Sequence, residues 1–246
     1  MSYILACLPD LSVLVPAFIV VTIGACMQAS IGMGLGMIAA PVLAVLDPTM
    51  VPGTMLVLSA FMGIAAAKRE SVAIVWKEYS IGVLGRLTGT VIAGLILVQI
   101  TSIQTFSLLF GVVTAVAVLL SLAGFGVRFS SLSLGIFATI SGVMATITSV
   151  GAPPMAIAYQ GQPVAHARPN MNAIFGTGSV LSLFGTAASG WLGFEHLISA
   201  AVLFPALYCG FALAGVVKKY TDQRFRYIAL GFAFASAMLL IYRGIS

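Results

Sequence analysis

The chain has 246 residues, 61% hydrophobic and 7% charged, with a formal charge of +5 and a mean hydropathy of +1.14. A soluble domain carries about a quarter charged residues, so a cytosolic enzyme, a secreted disulfide scaffold and a disordered chain are excluded. What remains is an integral membrane protein, and its 11 Lys+Arg against 6 Asp+Glu read as a topology signal, not a nucleic-acid surface.

The first basic residue is Lys68, so the N-terminus lacks the basic region of a signal peptide and Leu11 onward reads as a retained membrane helix. An apolar run of ~20 residues spans a bilayer as a helix. The first run, 11–29, does not end cleanly: it enters Ser30-Ile31-Gly32-Met33-Gly34-Leu35-Gly36, followed by a short apolar stretch, 37–46, that Asp47-Pro48 stops. Spans are then expected at about 50–67, 79–98, 103–122 and 131–148. The last of these runs into Ser149-Val150-Gly151-Ala152-Pro153-Pro154 and a short apolar piece ending near Gln160-Gly161-Gln162-Pro163. Further spans are expected at about 171–190, 197–217 and 227–243. Both irregular places read as helices broken within the membrane.

The two breaks are related. A shift of 119 superposes Ser30 on Ser149, Gly32 on Gly151, Ile38 on Ile157 and Ala39 on Ala158. A shift of 121 puts Gly89, Ala93 and Gly94 on Gly210, Ala214 and Gly215, and one of 120 matches Gly111, Ala115 and Ala117 with Gly231, Ala235 and Ala237. Three blocks in one order divide the chain into two homologous membrane repeats, 1–124 and 125–246.

Charge chooses the topology. If each break counts as one crossing, five basic residues fall on each side; if each is a hairpin, Lys68, Arg69, Lys77, Arg128, Arg168, Lys218, Lys219, Arg224 and Arg226 share one face and Arg243 alone lies opposite. The positive-inside tendency favours the hairpins. The expected fold is therefore an all-α polytopic membrane protein of 8–10 membrane segments. Two inverted-topology repeats each hold a broken-helix hairpin and three transmembrane helices. The basic loops are expected in the cytoplasm and both termini outside it, with Trp76, Tyr79, Tyr220 and Tyr227 as an interfacial belt.

Non-helical backbone at membrane depth is tolerated only where protein or a watery cavity satisfies it. Gly32, Gly34 and Gly36 permit the first turn, and Pro153 and Pro154 start the second returning half-helix at positions that sacrifice no needed N–H. Two helix N-termini meeting inside the membrane make an anion site, to which Gln28, Ser30, Thr146, Thr148 and Ser149 add donors beside Gly151. The bland alternative is that the glycines serve close helix packing alone. Arg168 is a gating or substrate-attracting cation or an ordinary loop arginine. Arg86, seven residues past Tyr79 or ~10 Å along a helix, is either a binding residue or a side chain that snorkels to the basic face. Asp47 and Glu195 read as helix caps or loop residues. Cys7, Cys26 and Cys209 are far apart and form no metal cluster with His166 or His196, so they read as packing residues. No metal site or cofactor is expected.

The run Gly32-Met33-Gly34-Leu35-Gly36-Met37-Ile38-Ala39-Ala40-Pro41, followed by Asp47-Pro48, resembles the first-half signature of the TauE/SafE sulfite exporter family. Gly151-Ala152-Pro153-Pro154, then Gly161 and Arg168, resembles that family's G-x-P-P segment and downstream arginine, and Arg69 and Gly176-Thr177-Gly178-Ser179 also fit. Ala152, where glycine is frequent, and Arg86, in a usually apolar helix, depart from the pattern. The resemblance implies a bacterial inner-membrane exporter of sulfite, organosulfonates or related small sulfur-containing anions. Alternating access, with a proton or sodium as coupling ion, is the expected mechanism; a passive anion channel, or a carrier of another small anion such as a carboxylate, is the alternative. An intramembrane enzyme would need a nucleophile, metal cluster or acid–base pair at depth, and neither H-E-x-x-H nor G-x-S-x-G occurs.

Overall fold

A computed structural model describes residues 10–123, 127–217 and 223–245, and of 216, 217 and 223–229 the backbone alone. The expectations for Cys7, Lys218, Lys219 and Tyr220, and for the side chains of Arg224, Arg226 and Tyr227, lie outside the described residues. The described chain is helical: α1 (Leu11–Ile31), α2 (Leu35–Leu46), α3 (Gly53–Arg69), α4 (Trp76–Leu97), α5 (Ile103–Ala123), α6 (Ser131–Thr148), α7 (Ala152–Ala158), α8 (Val164–Ala188), α9 (Phe194–Val217) and α10 (Gln223–Ile245). Five of them, α1, α4, α5, α6 and most of α9, are long and apolar enough to cross a membrane. The span expected from residue 171 begins at Val164 instead. Pro163 precedes its first turn, and its polar opening, with His166, Arg168 and Asn170, hides the start from a hydropathy reading.

Both breaks reverse the chain. Gly32 ends α1 in the left-handed region, with φ 85° and its N–H on the Gln28 carbonyl, and Gly34 follows at φ 146°. A Cβ on Gly24 would lie 3.0 Å from Leu35 Cα, so α2 returns along α1. Ser149 ends α6 in the same left-handed conformation, at φ 62°, an uncommon place for a residue other than glycine. Ser141 Oγ then donates to the Gly151 carbonyl at 2.6 Å, which ties the start of α7 back against α6. The matching landmarks are the left-handed caps Gly32 and Ser149 and the N-cap glycines Gly34 and Gly151. Their spacing is 117, two less than the shift of 119 that superposes Gly32 on Gly151.

Packing between helices relies on small residues, which let backbones approach within the membrane. α4 runs beside α6 with Gly85 against Ala138 and Gly89 against Gly142; α3 meets α8 at Gly63 and Gly176; α9 meets α1 at Gly210; α10 meets α5 at Gly111 and Gly244. Each of these main pairings joins the first half of the chain to the second. Exchanging α1–α5 with α6–α10 maps α4·α6 onto α9·α1, and α3·α8 and α5·α10 onto themselves.

The bundle has two distinct ends. At one, Arg168 pairs with Glu70, the Val75 N–H donates to Asn170 Oδ1 at 2.8 Å, and Lys68, Arg69 and Lys77 lie close by in sequence. Arg128 joins them, because α6 starts at the same end as α4 and Phe129 packs on Tyr159. At the other end Arg243 Nη1 donates to the Val45 carbonyl at 2.9 Å, and His196 covers Gly53. Arg168 and Glu70 thus share an end, as the hairpin reading requires and the single-crossing reading forbids. Asp47 caps the turn Pro48–Met50 through the Thr49 N–H.

Candidate functional site

The two breaks meet in the middle of the bundle. A Cβ on Gly36 would overlap the Ser149 carbonyl oxygen, so only glycine lets the start of α2 touch the end of α6. Around this contact lies a small cavity of about 30 Å³, room for a water molecule or two. The first break contributes Gln28, Gly34, Gly36 and Met37, and the second contributes Ala145, Ser149, Gly151 and Ala152. Ser59 of α3, Arg86 of α4, and Phe175 and Ser179 of α8 close it.

Arg86 supplies the charge. Its side chain is 1% exposed, and Nη1 donates to the Ser141 carbonyl at 2.9 Å and to Ser141 Oγ at 3.1 Å. It does not snorkel. Gly151 and Gly178 make room for the guanidinium, since a Cβ on Gly151 would stand 2.6 Å from Nη1 and one on Gly178 would overlap Nε. Nε has no hydrogen-bond partner, and no carboxylate among the described residues pairs with Arg86. A buried cation without a counterion is costly in a membrane interior, which marks the place where an anion would complete it.

The two half-helices differ as anion binders. α2 is 12 residues long, Gly36 and Met37 of its first turn line the cavity where N–H groups have no partner within the helix, and the Leu35 N–H is held by Gln28 Oε1 at 3.3 Å. α7 has only seven residues, and Pro153 and Pro154 remove two of its first-turn donors. The short, donor-poor α7 contributes shape and little positive potential, and Arg86, bonded to the same Ser141 that holds Gly151, stands in for it.

The family model described as Sulfite exporter TauE/SafE matches residues 17–240. The chain belongs to that family. No curated protein and no solved structure matches it. TauE/SafE proteins are membrane transporters of sulfur anions such as sulfite, and the present chain is a multi-pass membrane protein of that kind.

Of the residues singled out in this TauE/SafE chain, Gln28, Gly34, Gly36, Arg86, Ser149 and Gly151 line the cavity. The others are engaged elsewhere, all of them buried except the half-buried Arg168. Ser30 Oγ donates to the Cys26 carbonyl at 2.8 Å and Thr148 Oγ1 to the Met144 carbonyl at 2.8 Å, each satisfied by its own helix. Ser149 Oγ donates to the Pro52 carbonyl at 3.0 Å, so that residue offers the cavity backbone and not a free hydroxyl. Pro153 and Pro154 set the start of α7 from behind, and Thr146 lies deeper between helices. Gly32 packs against Arg168, where a Cβ would stand 3.1 Å from Cα. Arg168 itself is outside the cavity: Nε donates to Glu70 Oε2 at 3.0 Å, Nη2 to Glu70 Oε1, and Nη1 to the Ser30 carbonyl at 3.3 Å.

That contact ties α1, α3 and α8 together at the basic end. Beside it, Glu78 of α4 accepts from the Tyr159 hydroxyl at 3.0 Å and faces His166 Nε2 at 3.0 Å. Burial, and then the Glu78 carboxylate, push the Tyr159 phenol above its ordinary range. Two of the six acidic residues thus clasp the second half of the chain at this end. Met37, Ser59, Phe175 and Ser179 complete the cavity without having been flagged for chemistry. Ser179 had a signal, standing at the end of the Gly176–Ser179 run that fits the family.

Proposed function

We propose that this protein is a secondary transporter that exports small sulfur-containing anions, sulfite or organosulfonates, across the bacterial inner membrane by alternating access. The observation that carries the reading is Arg86: a fully buried guanidinium, without a carboxylate partner among the described residues and with Nε unbonded, on a cavity where both helix breaks meet. An oxyanion beside it accepts from a fork that suits planar or pyramidal oxygen arrays and from the free N–H groups of α2.

The pairings that map onto one another when α1–α5 and α6–α10 are exchanged support two repeats, 1–124 and 125–246, inserted in opposite senses. The moving bodies then mix the repeats. α4 is sealed to α6, on which α7 packs, and α1 to α9, with α2 packed on α1, so one group rocks against the other around the touching breaks. The basic end is cytoplasmic on the positive-inside tendency, and the Glu70–Arg168–Ser30 contact closes it. A closed end favours a carrier over a passive channel.

The test is anion-induced thermal stabilisation of purified protein across sulfite, sulfate, sulfoacetate and taurine, with carboxylates as controls, followed by flux in proteoliposomes. Stabilisation by sulfur oxyanions and flux that saturates with concentration are expected. Stabilisation by carboxylates alone overturns the substrate class, and flux that rises linearly without limit overturns the carrier.

A further inference from the structure

Several hydroxyls in these helices follow one pattern. Thr22, Ser30, Ser80, Thr88, Thr139 and Thr148 each donate to the carbonyl four residues back, the ordinary way for a membrane helix to satisfy a hydroxyl. Thr90, Thr146 and Ser182 depart from it. Their oxygens turn to one another across three helices, with Thr146 and Ser182 at 2.8 Å, Thr90 and Thr146 at 3.2 Å, and Thr90 and Ser182 at 3.4 Å. All three side chains are buried, at 4% exposure or less.

The cluster lies along the helices that frame Arg86. Thr90 is four residues after Arg86 on α4, Thr146 five after Ser141 on α6, and Ser182 three after Ser179 on α8. Each step is about one helical turn, ~5–7 Å, directed away from the basic end. Beside it lies a largely apolar groove of about 330 Å³ between α4 and α8, lined by Thr90 and Gly185 and, further along, by Gly94 and Ala188. Thr90 itself packs on α8, since a Cβ on Gly185 would stand 2.6 Å from Thr90 Cγ2.

We propose that Thr90, Thr146 and Ser182 form a second oxyanion subsite, one turn beyond Arg86, through which the anion leaves the central cavity for the Arg243 end. The proposal rests on the anion-transport reading and adds the outward half of the path. Each hydroxyl carries one rotatable O–H donor, so three donors that bond one another in the unloaded protein swing to the oxygens of a passing anion. Arg86, one turn away, sets the sign: its charge favours an anion in the cluster and disfavours a coupling cation.

The experiment compares wild type, Thr146→Val/Ser182→Ala and Thr146→Ser/Ser182→Thr in two assays: sulfite flux in proteoliposomes and sulfite-induced thermal stabilisation of the purified protein. Thr146→Val/Ser182→Ala, which keeps only the Thr90 hydroxyl of the cluster, is expected to lose about tenfold or more in maximal flux, the equivalent of one to two neutral hydrogen bonds. Its sulfite response at the central cavity stays within about threefold, because Arg86 is untouched. The hydroxyl-retaining variant is expected to recover most of the flux. Wild-type flux in Thr146→Val/Ser182→Ala overturns the subsite, as does a flux loss that Thr146→Ser/Ser182→Thr fails to restore, since a hydroxyl subsite needs only the O–H groups. If the double variant does not fold, Ser182→Ala alone carries the same comparison. Absence of any sulfur-anion response in the wild type overturns the transport reading itself, and is told apart because it is seen before any substitution.

Discussion

Replacing Arg86 with methionine separates a binding residue from a structural strut. The arginine makes two hydrogen bonds, both from Nη1 to Ser141, and faces no carboxylate among the described residues. Exchanging an unpaired buried charge for an apolar side chain of similar length is neutral or stabilising in the absence of ligand, and Ser141 Oγ keeps its bond to the Gly151 carbonyl. With anion the balance reverses. A hydrogen bond from a charged donor contributes ~1.5–3 kcal/mol, or ~10–150-fold in Kd. At an anion concentration of ~100 Kd the wild type gains ~2.7 kcal/mol, which for a chain of this size is ~5–10 °C in Tm. If Arg86→Met weakens Kd ~30-fold, the gain at the same concentration falls to ~0.9 kcal/mol, or ~2–4 °C. Arg86→Lys keeps the charge but loses the planar fork, and is expected between the two. Thermal unfolding of detergent-purified protein titrated with sulfite reads all three. An Arg86→Met protein that melts many degrees lower without anion, yet responds to sulfite as the wild type does, refutes the reasoning and makes Arg86 a strut.

Three further outcomes test the arrangement around the site. Gly36→Ala drives a methyl into the Ser149 carbonyl and is expected to abolish a monodisperse size-exclusion peak, whereas Gly215→Ala, with nothing within 4 Å of its Cβ, leaves it unchanged; a normal Gly36→Ala protein sinks the contact between the breaks. Glu70→Gln loosens the tie from Arg168 to α1 and α3, so a Gln28→Cys probe is expected to react several-fold faster with an impermeant thiol reagent added from the basic side, and an unchanged rate argues against closure there. Single cysteines replacing Lys77 and Arg168 should label from the same side of sealed vesicles and one replacing Arg243 from the other; Lys77→Cys labelling with Arg243→Cys, opposite Arg168→Cys, would restore the single-crossing topology.

The sequence made the architecture readable because membrane depth forbids irregular backbone, so Gly32-x-Gly34-x-Gly36 and Pro153-Pro154 advertise the breaks. The scarce charges then chose the hairpins. The site was only half legible, for two physical reasons. Polar residues near a break look alike in sequence, but Ser30 and Thr148 spend their hydroxyls on carbonyls of their own helices, a local choice no pattern announces. Ser59 and Phe175 reach the cavity through the α3–α8 packing at Gly63 and Gly176, a long-range contact with no local period. The offset of 117 between the matching caps, against the shift of 119 that aligns most identities, has the same origin. Identity in glycine-rich sequence follows composition, while the caps follow backbone geometry.

The departures from symmetry are where the specificity resides. Two equivalent helix ends would present an anion with matched partial charges from both sides. Here α7 is short and loses two donors to Pro153 and Pro154, and the missing positive potential returns as a full charge on α4. Because Arg86 is bonded to Ser141 and Gly89 packs on Gly142, that charge is tied to α6 although it belongs to the first half of the chain. In the proposed transport cycle an anion at the cavity is therefore gripped unequally, by a guanidinium on one body and by backbone N–H groups of α2 on the other. In that proposal the stronger partner keeps it as the bodies separate, on the side where Thr90, Thr146 and Ser182 lie one turn away. On the proposed reading the asymmetry gives the path a direction, and a cavity of about 30 Å³ suits the smallest oxyanions.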